Sequence, residues 1–119
     1  MPTRRLRRLP STVILGREVR VAVGLRARLL GLSHLDRQQA GPGLLIPRCS
    51  SVHTFGMRFA LDLLFFDREG EICSLKREVL PRRFAWDRRA SAVLELPADP
   101  AICSGRFAAE GGEFRRLCP

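Results

Sequence analysis

The hydrophobic pattern of this chain changes period several times, and each change marks an element. Over residues 59–66 the odd positions Phe59, Leu61, Leu63 and Phe65 form one strand face, and Ala60, Asp62, Leu64 and Phe66 form the other. Both faces are apolar apart from Asp62, which predicts a strand buried on both sides at the centre of a sheet. Asp67-Arg68-Glu69-Gly70 then predicts a type I turn closed by a left-handed glycine, with residues 71–75 returning as the partner strand. Residues 12–23, TVILGREVRVAV, alternate Val19, Val21 and Val23 against Glu18, Arg20 and Ala22. Gly16-Arg17 fits a two-residue turn with glycine first, so a second hairpin with one core-facing side is expected. From Leu25 the period lengthens. Leu25, Leu29, Leu32 and Leu35 fall on one helical stripe, which predicts a single short helix with these leucines in the core.

Gly41-Pro42-Gly43 breaks the chain before Leu44-Leu45-Ile46, an apolar run suited to a short buried strand. Residues 81–89, PRRFAWDRR, have no period and predict a loop presenting Phe84 and Trp86. Residues 92–96 and 106–109 read as further short strands, with a last turn at Gly111-Gly112. The sum is a mainly β fold: a small antiparallel β-sandwich or partly closed barrel with one short helix. Residues 1–11 are expected to be a disordered basic tail and residues 12–119 a single mainly β domain. At 119 residues and 45% hydrophobic composition, one core can form without disulfides or metal.

Charge adds a possibility and composition restrains it. The formal net charge of +9 raises attraction to anions, nucleic acid included. Only Lys76 is lysine, however, and the other 20 basic residues are arginine, a bias that resembles codon usage more than selection for phosphate. Tyrosine is absent, so aromatic interleaving is thin. Nucleic-acid binding through the arginine-rich tail and the 81–89 loop is therefore an alternative, not the first reading. The opening MPTRRLRRLP has the charge of a signal n-region but no apolar run behind it, and no stretch approaches membrane-span length. A cytoplasmic location without a membrane span is expected.

Cys49, Cys73, Cys103 and Cys118 are widely spaced and form no CxxC pair, so reduced, packed thiols are expected. No ligand spacing supports a metal, and no cofactor is expected. Asp62 stands out because a carboxylate between Ala60 and Leu64 must be paired, hydrogen-bonded or protonated to be buried. Holding backbone N–H groups or an arginine is the simplest role for it. Cys49, Ser50, Ser51, His53 and Thr54 gather a thiol, hydroxyls and an imidazole in one loop-like stretch, residue types that nucleophilic chemistry uses. Phe84 and Trp86 lie between Arg82-Arg83 and Arg88-Arg89, where a ring could be stacked; alternatively Trp86 tucks inward to cover one end of the sheet.

The order of these pieces resembles the family known as domain of unknown function 192, across residues 19–96. RARLLGLSHL from Arg26 looks like the family's arginine, Gly-Leu and leucine, and Gly43-Leu44-Leu45-Ile46 is similar to its Gly-Met-Leu-Phe strand. The run VHTFGMRFALDLLFFD resembles its Trp-Met-Lys-Asn-Thr…Pro-Leu-Asp-Ile-x-Phe segment, and Val93-Leu94-Glu95-Leu96 matches its Val-Leu-Glu-Leu strand. His53, Thr54, Gly56 and Ala60 replace the usual tryptophan, methionine, asparagine and proline, which marks a divergent branch. The resemblance implies a small mainly β fold of sandwich or barrel type and carries no assigned activity.

The residues then support a non-enzymatic ligand-binding or accessory domain for a small molecule or protein. Its site is expected at His53, Thr54, Met57, Asp62, Phe84 and Trp86, because polar groups and aromatics on loops beside a rigid strand are the usual setting for a ligand. A small thiol- or carboxylate-dependent hydrolase, using Cys49 or Asp62 with His53, is the alternative, and it requires an unusually acidic Cys49.

Overall fold

A computed structural model describes residues 4–99 of the chain. The elements in order are α1 (Arg4–Arg7), β1 (Ser11–Ile14), β2 (Arg17–Val21), α2 (Leu25–Leu30), α3 (Arg37–Ala40), β3 (Leu44–Pro47), β4 (Ser51–His53), β5 (Leu61–Phe66), β6 (Ile72–Val79), β7 (Phe84–Trp86) and β8 (Ala92–Pro97). Six strands form one sheet in the order β1-β2-β3-β8-β5-β6, and β4 pairs with β7 in a second. The mainly β, two-sheet expectation holds. The larger sheet is open, with β1 and β6 at its edges, and does not close into a barrel. One pair departs from antiparallel pairing: β2 runs parallel to β3, because the chain crosses over through α2 and α3 instead of turning back. The described residues hold three short helices, where one was expected.

β5 has the central place its pattern predicts, flanked by β8 and β6. Leu61, Leu63 and Phe65 join the core beneath the helices with Leu44, Ile46 and Val93, while Leu64 and Phe66 pack on the other face with Val19, Leu94 and Leu96. Asp67 closes the β5–β6 turn as read: Gly70 has φ 82°, and the Asp67 carboxylate accepts the N–H groups of Glu69 and Glu71. The first hairpin turns one residue earlier than expected. Ile14 pairs with Arg17, leaving Leu15-Gly16 at φ 52° and 74°, the two positive values of a type I′ turn. That register buries Val19 and leaves Val23 exposed.

The leucine stripe is divided between two environments. α2 ends at Gly31, whose φ of 53° takes the chain out of the helix, so the period stops before Leu32. Leu32 and Leu35 are buried from the following turns, whereas Leu25 and Leu29 are 73% and 62% exposed. The N-terminal stretch also differs from the expected disordered tail, because residues 4–9 fold onto the domain. Leu6 is buried in the core, and the Arg5 guanidinium donates to the carbonyls of Gly31 and Ser33 at 2.8 and 3.1 Å. The expected strand at 106–109, the turn at Gly111-Gly112, Cys103 and Cys118 lie outside the described residues.

Candidate functional site

Residues 81–89 are not a loop throughout, since β7 pairs with β4 in the register Ser51↔Trp86, Val52↔Ala85 and His53↔Phe84. Strand alternation turns Ala85 inward, so Ser51, His53, Phe84 and Trp86 share the outer face. Trp86 is 64% exposed and is not tucked under the sheet. His53, Phe55 and Phe84 form a chain of rings, with centroids 5.9 Å apart for His53–Phe55 and 5.2 Å for the edge-on pair Phe55–Phe84. Such tilted contacts suit ring quadrupoles.

Below this face opens a cleft of about 260 Å³ between the end of α2 and β4. Leu29, Leu30, Ile46, Val52, Met57 and Phe84 supply its apolar walls. Arg28, Cys49, Ser51 and His53 stand around them, and Glu95 of β8 is the buried acid of the cleft. Glu95 shares the face of Val93, the face covered by the helices, so the strand period aims it at the end of α2. The Leu32 N–H donates to its Oε1 at 3.3 Å. Gly31 makes this approach possible, because a Cβ there would lie 2.6 Å from Oε1. Burial pushes the Glu95 carboxyl up to about 7, only partly opposed by the Leu32 hydrogen bond.

Cys49 is half-buried and donates its thiol to the Ser51 carbonyl at 3.0 Å. Burial first, and the negative charge of Glu95 with it, push that thiol up, while the Ser51 hydrogen bond and Arg28 act in the other direction. A thiolate nucleophile needs the opposite shift. Cys49 and Cys73 are free thiols. Among the described residues no three His, Cys, Asp or Glu side chains gather closely enough to hold a metal ion, and no helix is long and apolar enough to cross a membrane.

Of the six residues picked out from the sequence, His53, Met57 and Phe84 line this cleft, and Trp86 adjoins it on the outer face opposite Ser51. Thr54 serves the scaffold. It is fully buried, its hydroxyl donates to the Leu80 carbonyl at 2.6 Å and accepts the Arg83 N–H at 2.8 Å, and it thereby holds the segment leading into β7. Asp62 lies elsewhere, lining a separate cavity with Arg17, Arg37 and Asp99. Two residues of β6 oppose it, since Leu61 pairs with Val79 but Leu63 with Lys76. This bulge places Glu78 at φ 51°, and Asp62 accepts its N–H at 2.9 Å and that of Asp99 at 3.1 Å. Asp62 thus holds backbone, the simplest role foreseen for it.

Sequence reasoning passed over Glu95, Arg28 and Leu29. A signal for Glu95 was present. It stands between Leu94 and Leu96 on a strand apolar on both faces, the context that singled out Asp62. For Leu29 the stripe pointed to the core, and only the helix break at Gly31 places it on the cleft.

The family model for domain of unknown function 192 (DUF192), described as "Uncharacterized ACR", matches residues 10–105. No curated protein matches the chain. Among solved structures, a chain from Sinorhizobium meliloti 1021 described as "a putative transcription regulator" superimposes with TM-score 0.59 at 27% identity, covering 74% of this chain and 77% of its own. A protein of unknown function from Novosphingobium aromaticivorans matches with TM-score 0.59 at 17% identity, over 84% of this chain and 76% of that one, and shares the fold.

Proposed function

Since the chain belongs to the DUF192 family, whose description names no activity, we propose from its own geometry that it is a non-enzymatic ligand-binding domain with its site in the cleft over Glu95. The observation that carries this reading is a cleft with mostly apolar walls and a buried carboxyl, roofed by exposed rings. Small-molecule sites combine apolar walls with a few fixed polar groups in this way. Phe84 and His53 are held on a paired strand, and Thr54 locks the chain beside them, so the opening is organised before any ligand arrives. The upward shift of Cys49 weighs against the thiol hydrolase, and the distant, backbone-holding position of Asp62 weighs against a carboxylate paired with His53.

A fragment screen read by two-dimensional NMR tests the proposal. Small aromatic and aliphatic fragments should shift the amides of Ile46, Val52 and Met57, and Ser51→Trp, a change at an exposed rim position, should abolish those shifts while leaving the fold intact. Shifts scattered over the surface, or unaffected by the rim tryptophan, would remove the cleft as the site.

A further inference from the structure

Glu95 is only 3% exposed yet lines the cleft, and among the described residues it forms no salt bridge. A carboxylate has room for about four hydrogen bonds. The single bond from Leu32, at 3.3 Å, leaves that capacity largely unused. Such a group, taken out of water without a cation, is costly unless it is protonated or meets a positive partner. Arg28 also lines the cleft but forms no ion pair with Glu95: its Nη2 donates to the Arg48 carbonyl at 2.8 Å, and its buried Nε has no hydrogen-bond partner among the described residues. Cys49 offers a neutral thiol that is already bonded to the Ser51 carbonyl. The remaining titratable group of the cleft is His53, on the exposed side of β4.

We propose that the cleft is an amine site, taking a small molecule whose cationic nitrogen meets the Glu95 carboxylate while its apolar body lies against Leu30, Ile46 and Met57. The inference rests on the reading of the cleft as a ligand site. It adds the chemical class. The volume of about 260 Å³ lies just below the usual range of ligand pockets, which limits the occupant to one ring or a short chain with one head group. Phe84 lines the cleft with Phe55 packed edge-on against it, and aromatic rings beside an opening attract cations. Because the carboxyl titrates near 7, a ligand that stays cationic should bind about tenfold more tightly at pH 8 than at pH 6, by linkage.

The test uses benzylamine and its neutral counterpart benzyl alcohol, each titrated by NMR at pH 6 and pH 8 against the full chain and against Glu95→Gln, His53→Gln and Ser51→Trp. We expect benzylamine to shift the cleft amides, to gain about tenfold in affinity from pH 6 to pH 8 in the wild type and in H53Q, and to lose that gain in E95Q. Ser51→Trp should block it, which gives a second variant independent of the buried acid. If benzyl alcohol binds as well as benzylamine at both pH values, the amine assignment is overturned while the ligand site stands. If the pH step persists in E95Q or vanishes in H53Q, the assignment of the cation to Glu95 is overturned. If neither probe shifts the cleft, the amine inference falls, and the fragment screen decides separately whether the cleft binds anything.

Discussion

Glu95 and Asp62 are both carboxylates in buried strands, yet their surroundings give them opposite characters. Asp62 accepts two backbone N–H groups, one of them freed by the β6 bulge, and so has an occupation within the fold. Glu95 has one long hydrogen bond and a cleft in front of it. Its carboxyl is lifted from the ordinary 4.5 to about 7, so between these values the folded protein holds a proton that the unfolded chain releases. Its contribution to stability is complete below about 4.5, declines as pH rises and is gone above 7. The size is on the order of 3 kcal/mol, from about 1.4 kcal/mol for each pH unit between the two values. Glu95→Gln should therefore flatten the fall in stability between pH 5 and pH 7.5, measured by urea unfolding at a series of pH values. An unchanged slope would show that the carboxyl is solvated.

The elements fit together through short pieces that the pattern of the chain reports unevenly. β5 declares itself, because six consecutive buried residues leave their mark on both faces. β4 and β7 are three residues each, too short for alternation to be distinguished from chance, and their pairing joins segments more than thirty residues apart. α1 is equally hidden. Four arginines in ten residues read as a solvated arm, and Leu6 gains its meaning only from the core it fills. Leu6→Ala should cost about 2–5 kcal/mol, as a leucine deleted from a packed interior does, measured by chemical denaturation. A disordered arm would lose nothing, and a change within about 0.5 kcal/mol would return residues 4–9 to that description.

At the scale of the whole molecule, four of the arginines that contribute to the charge of +9, Arg4, Arg5, Arg8 and Arg26, surround one open cavity on the α1 side. Burial first, and the nearby Arg26 with it, lower the Arg5 pKa, and four clustered arginines should attract polyanions without reading them. Single-stranded oligonucleotides of different sequence should bind alike in fluorescence anisotropy and be released as salt rises, with Ser51→Trp without effect. Sequence-dependent affinity that survives moderate salt, or that Ser51→Trp abolishes, would instead favour nucleic-acid recognition at the β4–β7 face. The fold class was legible from periodicity alone, since burial on one or two faces of a strand leaves a period that local composition preserves: β5, its turn at Asp67, the strand at Leu44 and that at Val93 all lie where the pattern places them. The family was legible from the same segments. The cleft was not, because it arises where the break at Gly31, the pairing of Phe84 with His53 and the reach of Glu95 beneath Leu32 converge. Those contacts join positions tens of residues apart, and no local pattern of polar and apolar residues records which distant surfaces will meet.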